Sequence, residues 1–474
     1  MRRFFYLFIA VSIIGCSHSA ADQADGGAKA DLTRADGAQD DGGPAADAGA
    51  GRICSGLFTV RDANGKPITA KETRGVEYLF DPTKLHQLQI DVAAQDWAWL
   101  KAHARDESYV PAVVVFEQRR YEGAAVRFKG GWTTMSACFD ESGKQICAKL
   151  SLKLRFNKYD SCGRFFGQRR LVLNSSVRDP SLMRERLAYD IARRAGVPAG
   201  RTSHVTVKLP DQPTGVYLLV EAIDKEFLED RFADAEGNLY KQVWPIHETA
   251  EPYLAALRTN EALGQVQEMI DFAKALKASD EASFSTAMSA WIDVAQIARL
   301  MAVSRVISSD DGPDHFYCWD GVCENANFYF YRQPAGRFTL LPWDLDNTLW
   351  DVEPNFAWDW WRKPASCAAV SLCEFDQISD CTGEIAAQTL IPPQCDSLLG
   401  MSVRQAKEAY QQTLSALVGL LRKAASDQTA FRALIRSAVG ADPAAPKLSD
   451  FDAYNDWLAS VLLKQADTVE ASLK

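Results

Sequence analysis

The chain has 474 residues, of which 47% are hydrophobic and 24% are charged, a composition typical of globular proteins. This length is sufficient for one large two-lobed domain or for two ordinary domains. The net charge of −10, without any cluster of Lys and Arg, argues against nucleic acid as the main partner, because phosphate binding needs concentrated positive charge.

The chain begins with the features of an export signal. A basic pair precedes an apolar run of 11 residues, Phe4 to Ile14, which is too short to span a bilayer. Gly15 and Cys16 then complete an Ile-Ile-Gly-Cys sequence that resembles the lipobox of bacterial lipoproteins. The resemblance implies cleavage before Cys16, a lipid on its sulfur and attachment to the cell envelope, and Ser17 suggests the outer membrane. An ordinary secreted protein with a chance cysteine is the alternative.

An Ala-, Asp- and Gly-rich segment follows this signal. From Ser17 to Arg52 it contains almost no large apolar residue, so it cannot bury enough surface to fold and is expected to be a flexible tether. Beyond it, the hydrophobic period is that of strands at first and that of helices later. We predict four segments: a signal peptide at 1–15, a tether at 16–52, a β-rich unit at 53–248 and an α-rich unit at 249–474.

Ten cysteines remain when Cys16 is set aside from the total of 11. An even number in an exported chain predicts disulfide bonds. A zinc site is the alternative, but the sequence has no CxxC pair and its six histidines are scattered. Spacing favours the local pairs Cys138–Cys147 and Cys318–Cys323, although spacing alone does not determine connectivity.

Strands are expected to dominate residues 53–248. The segment KLSLKLRF alternates between polar residues and an apolar face. That face consists of Leu150, Leu152, Leu154 and Phe156. The segment GVYLLVE, residues 215–221, is apolar on both faces, which predicts a central strand.

One main helix is predicted among these strands. Asp179 is expected to be its N-cap and Pro180 its first residue, and Gly196 is expected to end it. Several helices are predicted after residue 248, one of which ends near Ser309. A β-rich half with one main helix, followed by an α-rich half, predicts an α+β fold with the two-lobed outline of protein kinases.

Acidic and amide residues are concentrated between the helix that ends near Ser309 and a later strand. They are Asp310, Asp311, Asp314, Asn325, Asn327, Asp344 and Asp346. Asp344 and Asp346 follow the apolar run 338–343, and residues two apart in an extended strand point to the same side. A helix C-terminus disfavours carboxylates, so a divalent cation such as Mg²⁺, bound through oxygen atoms, is one explanation. Ordinary Asx turns are the other.

Several motifs resemble those of the CotH (spore coat protein H) family of atypical protein kinases. The similar stretches run from about residue 85 to the C-terminus and include VRFKGG, NSSVRDPSLMRE, GVYLLVEAIDKEFL, NFYFY and LLPWDLD. The resemblance implies a kinase-like fold with a β-rich N-lobe that contains one main helix and an α-rich C-lobe. It also implies ATP and Mg²⁺ (or Mn²⁺) as ligands and a Ser or Thr of a protein as the acceptor.

The resemblance assigns roles to five residues of the acidic region. Asp311 corresponds to the aspartate that orients or deprotonates the acceptor hydroxyl, with Asp320 as a competing candidate. Asn327, Asp344 and Asp346 are the expected metal ligands.

Candidate ligands for ATP lie in the β-rich unit. We expect Lys149 to contact phosphate and Glu185 to orient it, with Lys129 as the competing lysine. Glu221, at the end of an apolar strand, is expected at the hinge between lobes. The alternatives are a solvated strand face for Lys149 and a plain strand end for Glu221.

The usual kinase signatures GxGxxG, HRD and DFG are absent, as expected for this atypical family. We therefore expect an extracytoplasmic kinase that phosphorylates Ser or Thr of a surface or envelope protein. Because ATP is scarce outside the cytoplasm, two alternatives remain: a non-catalytic surface assembly or binding protein and an AMP transferase with a kinase-like fold. The sequence does not indicate an oligomeric state.

Overall fold

The computed structural model describes residues 54–69, 72–131, 135–319, 321–352, 354–375 and 387–474. They form a mixed α+β structure, as predicted. The predicted signal peptide, the tether and Cys16 lie outside the described residues, as does Asp320. None of the described helices combines the length and the hydropathy that a membrane crossing requires.

Seven strands in the first half of the chain close into a ring. The strands of this half are β1 (Thr59–Arg61), β2 (His86–Asp91), β3 (Val110–Phe116), β4 (Arg119–Lys129), β5 (Ser151–Arg155), β6 (Arg170–Asn174), β7 (Thr202–Lys208) and β8 (Gly215–Glu221). The order β4-β3-β2-β7-β8-β6-β5 is closed because β5 also pairs with β4. The β2–β7 pairing is parallel, and β1 pairs with the first part of β4.

Alternate residues of these strands face two different cores. Tyr217 and Leu219 of β8 pack inside the ring, whereas Val216, Leu218 and Val220 pack against the helices outside it. This arrangement confirms the prediction of a central strand at 215–221. The predicted apolar face of Leu150, Leu152, Leu154 and Phe156 is also confirmed, since all four residues are buried in the ring.

The first half contains more helix than predicted. The expected main helix is α2 (Arg184–Arg194), but α1 (Ala94–Ala102) and α3 (Lys225–Arg231) are present as well. The predicted start of α2 at Pro180 is wrong by four residues. Asp179 nevertheless caps this end, because its carboxylate accepts hydrogen bonds from the backbone N–H groups of Met183 (2.8 Å) and Arg184 (2.9 Å) across an intervening turn.

Helices dominate the second half. They are α4 (Glu251–Ala256), α5 (Gln267–Ala278), α6 (Phe284–Met288), α7 (Val294–Val306), α8 (Leu372–Phe375), α9 (Ser397–Gln405), α10 (Lys407–Ala441) and α11 (Leu448–Ser472). The long helix α10 packs against α11 and α7 and also against α2, so it joins the helical half to the ring.

Two small sheets lie among these helices. Their strands are β9 (Asn238–Lys241), β10 (Phe316–Trp319), β11 (Val322–Glu324), β12 (Phe328–Arg332), β13 (Phe338–Pro342), β14 (Val370–Ser371) and β15 (Thr389–Ile391). One sheet has the order β13-β12-β9 and the other β11-β10-β15-β14. Strand β9, which precedes residue 248, therefore pairs with β12, which follows it. The predicted segment boundaries stay predictions.

Disulfide bonds join Cys138 to Cys147 and Cys318 to Cys323, as predicted. Further disulfides join Cys54 to Cys162 and Cys367 to Cys395. The Cys318–Cys323 bond clips the β10–β11 hairpin, which separates the two groups of acidic residues along the chain.

Candidate active site

A cleft lies where the ring, α2 and the turn after β13 meet. It is lined by Lys129, Ser151, Asn174, Ser175, Ser176, Val177, Arg178, Asp179, Glu185, Asp344 and Asp346. Four of the predicted site residues, Lys129, Glu185, Asp344 and Asp346, are therefore brought together. They come from positions up to 217 residues apart in the chain.

A chain of hydrogen bonds links the lysine of this cleft to its glutamate. The Nζ group of Lys129, at the end of β4, donates to Oδ1 of Asn174 at 3.1 Å. The Nδ2 group of Asn174, at the end of β6, donates to both carboxylate oxygens of Glu185 at 2.8 and 2.9 Å. All three side chains are buried, so the amide fixes the position of both charged groups.

The carboxyl group of Glu185 carries a strongly perturbed pKa. Burial raises this pKa well above its usual range, and the nearby charges of Asp346 and Asp344 raise it further. The hydrogen bond from Asn174 and the charge of Lys129 act in the opposite direction. Glu185 therefore lies within the electrostatic field of both aspartates.

The two aspartates after β13 do not lie on an extended strand, which was the expected geometry. Strand β13 ends at Pro342, and Asp344 has a left-handed backbone with φ of 53°. A turn, rather than strand alternation, brings Asp344 and Asp346 to the same cleft. Tyr189 of α2 holds this turn, because its hydroxyl accepts a hydrogen bond from the backbone N–H of Asp344 at 3.0 Å.

Acidic groups are crowded around this turn. Burial raises the pKa of Asp346 to about 7, and the charge of Asp344 contributes, whereas Lys129 and Arg178 oppose the shift. Two carboxylates that approach each other in a partly buried site cannot both ionise easily without a compensating cation.

Asp311 belongs to the same electrostatic cluster. It follows α7, which ends at Val306, and its Oδ1 atom is buried without a hydrogen-bond partner among the described residues. Burial raises the pKa of Asp311 well above its usual range, and the charges of Asp346, Asp310 and Asp344 add to the shift. An unsatisfied buried carboxylate oxygen is a candidate for proton or cation binding.

Asn327 connects the Asp311 turn to the end of β13. Its Nδ2 group donates to the backbone carbonyl of Asp311 at 3.2 Å, and its backbone carbonyl accepts from the N–H of Trp343 at 2.9 Å. A side-chain amide that donates through nitrogen presents its oxygen as a possible metal ligand.

Other members of the predicted acidic group support the local structure. The hydroxyl of Ser304 donates to Asp314 at 2.6 Å, and Asn325 donates to the carbonyl of Pro313 at 2.8 Å. Asp310 accepts a hydrogen bond from the side chain of Asn347 at 2.9 Å. These three hydrogen bonds stabilise the loop, but none of them is the local side-chain-to-backbone bond of an Asx turn.

Lys149 does not line the cleft, so its expected position is wrong. Its Nζ group donates to the carbonyl of Val216 at 2.6 Å and to Oδ2 of Asp442 at 3.0 Å. Both Lys149 and Asp442 are 4% exposed. The pair joins the ring to the end of α10, and Lys129, the competing candidate, takes the place expected for Lys149.

Glu221 is also separate from the cleft lining. It is fully buried and forms ion pairs with Arg201 at 2.6 Å and Arg231 at 2.6 Å. This pattern indicates a structural role at the end of β8 and corrects the expectation of a ligand-binding hinge residue.

Sequence reasoning missed Asn174 and Tyr189. Asn174 is the first residue of the NSSVRDPS motif, so the motif contained a signal, but its amide role depends on the contact with Glu185. Tyr189 lies four residues after Glu185, a spacing that places both on one helix face. The next residue of the motif, Ser175, accepts a hydrogen bond from Ser151 at 3.1 Å within the cleft wall.

The residue types at this cleft suit a divalent cation, although no three of the described acidic residues here bring their ligand atoms within 4.8 Å of one another. Asp344, Asp346 and Glu185 line the cleft, whereas Asp311 does not. The pKa values of Glu185 and Asp346, and that of Asp311 within their electrostatic field, are raised. Oxygen ligands of this kind suit Mg²⁺ or Mn²⁺, and the neighbouring Lys129 suits a phosphate.

Comparison with known proteins identifies the family. The family model described as CotH kinase protein matches residues 126–439, more than half of the chain. The chain belongs to this CotH family. The matched range includes Lys129, Glu185, Asp311 and Asp344.

Two relatives of this CotH protein come from Bacillus subtilis (strain 168). The inner spore coat protein H is 26% identical over 282 residues, which cover 55% of this chain and 68% of the relative. An inner spore coat protein H-like protein is 46% identical over 55 residues, 12% of this chain and 18% of the relative.

A solved structure from Shewanella oneidensis MR-1, a toxin–antitoxin complex of HipA, HipB and operator DNA, has 12% sequence identity to this chain. The match covers 69% of this chain and 66% of that chain, with a TM-score of 0.30. The score is too low for an argument about shared architecture.

Proposed function

We propose that this CotH protein is an extracytoplasmic kinase that transfers the γ-phosphoryl group of ATP to a Ser or Thr hydroxyl of a surface or envelope protein. The observation that carries the proposal is the hydrogen-bonded series Lys129–Asn174–Glu185 in the same cleft as Asp344 and Asp346. A positioned lysine beside a pair of carboxylates supplies what phosphoryl transfer requires, namely a phosphate ligand and a cation site.

Each residue has a proposed role. Lys129 binds the phosphates of ATP, and Asn174 and Glu185 keep its ammonium group in position. Asp344 and Asp346, assisted by Asn327, would hold Mg²⁺ or Mn²⁺, which when bound neutralises charge on the transferred group.

Asp311 is the proposed base. The acceptor hydroxyl oxygen forms a bond to the γ-phosphorus, the bond between that phosphorus and the bridging oxygen of ADP breaks, and the hydroxyl proton passes to Asp311. A carboxyl group whose pKa lies above its usual range holds such a proton better than an ordinary aspartate.

The proposal includes a two-lobed kinase-like layout and a location. The ring with α2 would be the N-lobe and the helical half the C-lobe, with the cleft between them. A lipid on Cys16 would attach the protein to the outer membrane, so Cys16→Ser should move it from the membrane fraction to the soluble fraction.

Labelling experiments test the reaction. The purified protein with Mg²⁺ and [γ-³²P]ATP should label a Ser-rich acceptor or itself, and Asp344→Asn should abolish the labelling. Asp351→Asn is the matched control, because Asp351 is a nearby loop aspartate that pairs with Lys464 at 2.8 Å. Asp320→Asn should also remain active if Asp311 is the base.

Three results would contradict the proposal. Equal labelling by Asp344→Asn would separate the reaction from the cleft. Label from [α-³²P]ATP but not from [γ-³²P]ATP would indicate AMP transfer. No nucleotide-dependent labelling of any acceptor would favour a non-catalytic assembly protein.

A further inference from the structure

A second cavity lies on another face of α2. It is open to solvent and has a volume of about 350 Å³ between α2, α10 and the segment around Pro82. Arg186, Asp190, Arg193 and Arg194 line it, and their spacing of four, three and one residues places them on one side of the helix. The size is within the range of ligand-binding pockets.

Arg186 is a buried cation whose direct partners are uncharged. It is 2% exposed, and its guanidinium group donates to the carbonyl of Pro82 at 3.1 Å and lies 3.6 Å from the ring centre of Phe431. It also contacts Nδ1 of His204 at 2.6 Å. Because Nε2 of this histidine donates to the carbonyl of Leu182 at 2.7 Å, Nδ1 is the acceptor and the ring is neutral.

Positive charge exceeds negative charge in this cavity. Asp190 is shared between Arg193 at 3.1 Å and Arg194 at 2.9 Å, and Arg194 also pairs with Asp427 at 2.9 Å. The charged residues that line the cavity are thus three arginines and one aspartate, Asp190. The Nε–H group of Arg193 is buried and has no hydrogen-bond partner among the described residues. Buried donors and charges of this kind are costly unless a ligand satisfies them.

We propose that this cavity binds an oxyanion of the phosphate class, either free phosphate or the phosphomonoester of a phosphorylated side chain. Guanidinium groups bind the oxygens of such anions through several parallel N–H donors, and they remain charged at neutral pH. Arg186 supplies a buried charge without a carboxylate hydrogen-bonded to it, and Arg193 supplies an Nε–H donor that no described residue accepts. The site is independent of the proposed phosphoryl transfer.

The cavity is coupled to the active-site cleft through α2. Glu185 directly precedes Arg186, and Tyr189 directly precedes Asp190. A bound anion would bridge α2 to its surroundings through Arg186 and Arg193, and would therefore restrain the helix that positions Glu185 and the Asp344 turn. The cavity is thus a candidate regulatory site.

Calorimetry of the full chain without divalent cations tests the proposal, with inorganic phosphate as the first probe and a phosphoserine peptide as the second. Ionic strength is matched with NaCl, and the unphosphorylated peptide is the blank. We expect saturable binding that Arg193→Gln weakens by about tenfold or more. Arg436→Gln, an exposed arginine paired with Asp452, and Lys129→Met should each change the affinity less than about twofold.

The variants show whether the anion binds in the cavity or in the cleft. The two probes show whether the anion is free phosphate or a phosphorylated side chain. Tighter binding of the phosphopeptide than of phosphate would assign a phosphorylated side chain, and equal binding would assign free phosphate. No saturable binding of either probe up to about 10 mM would overturn the proposal. Unchanged affinity in Arg193→Gln, or loss of binding in Lys129→Met, would overturn it as well.

Hydrogen exchange of the unmutated protein gives a second readout that requires no variant. Phosphate should slow amide exchange in residues 184–194 relative to NaCl at the same ionic strength, because the anion restrains α2. Binding that leaves exchange in this segment unchanged would contradict the assigned location.

Discussion

The backbone N–H of Asp344 donates a hydrogen bond to the hydroxyl of Tyr189 at 3.0 Å, although the two residues are 155 positions apart. One turn earlier on the same helix, Glu185 accepts both hydrogen bonds from Asn174. Helix α2 therefore touches the turn proposed to bind the cation and the amide that positions Lys129. The position of α2 sets the geometry of the whole cleft.

Tyr189→Phe should lower kcat without unfolding the protein. It removes one hydrogen-bond acceptor, worth about 1 kcal/mol, which corresponds to a loss of about fivefold in rate if the Asp344 turn becomes less well positioned. Steady-state kinetics with ATP and a thermal melt are the measurements. Tyr253→Phe is the control, because among the described residues that hydroxyl bonds to the backbone of His247 alone, at 3.0 Å. Equal loss of activity in both variants would exclude a specific role for Tyr189.

Substitution of the two candidate lysines should have opposite consequences. Lys129→Met should reduce phosphoryl transfer by more than about 100-fold with a small effect on folding, because it removes the phosphate ligand. Lys149→Met should leave Asp442 buried without its cation and lower the free energy of unfolding by about 3 kcal/mol.

Urea unfolding and single-turnover transfer distinguish these outcomes. The lysine roles would be reversed if folded Lys149→Met were inactive while Lys129→Met retained full activity.

Removal of the Cys318–Cys323 disulfide should lower activity strongly, although it should lower the free energy of unfolding only modestly. The β10–β11 hairpin lies between Asp311 and Asn327, so loosening it should disturb both residues. A loop this short contributes about 2 kcal/mol through chain entropy. The paired Ser variant should lose several-fold in kcat/KM, as measured by initial rates.

The matched control is the paired Ser variant of Cys138 and Cys147, which also closes a short loop, with a sequence separation of 9. We expect it to lose similar stability and to retain its rate. A comparable rate loss in both paired variants would mean that the hairpin has no particular role.

The stability of the protein should depend on pH through Asp396. Burial raises the pKa of this carboxyl from 3.8 to about 6, despite hydrogen bonds from the N–H groups of Leu399 and Trp244. Between pH 4 and 6 the folded state keeps a proton that the unfolded chain loses. The contribution of this group to stability therefore falls as pH rises through this window, by about 3 kcal/mol.

Asp396→Asn removes that dependence. The unfolding free energy of the variant minus that of the wild type should become more positive from pH 4 to 7, as measured by urea unfolding. Asp452→Asn is the control, since Arg436 and Arg432 lower the pKa of Asp452 to about 2 and its difference should stay constant in this range. A constant difference for Asp396→Asn would refute the assignment.

Local patterns predicted the local structure well. The alternation in β5 and the two-sided burial of β8 depend on neighbouring residues, and both were read correctly. The predicted start of α2 is wrong. Asp179 and Pro180 are residue types that favour a helix start, but they lie one turn before the first residue of the helix. The Asp179 carboxylate still caps the helix, so the chemistry was correct and the position was wrong.

Long-range contacts limited the prediction of the site. The strand pattern does not distinguish Lys149 from Lys129 as a phosphate ligand. The distinction comes from the contact between Lys149 and Asp442, 293 residues later in the chain. Ring closure through the β4–β5 pairing is likewise not encoded in the period of either strand. Asp344 and Asp346 were correctly grouped, but a left-handed turn rather than an extended strand brings them together.

The most direct test of the central claim is a crystal structure with Mn²⁺ and a non-hydrolysable ATP analogue, with the metal located by anomalous scattering. We expect a Mn²⁺ peak in contact with Asp344 and with Asp346 or Asn327, and analogue phosphates in contact with Lys129. A metal and nucleotide bound away from this cleft, or phosphates held by Lys149, would contradict it.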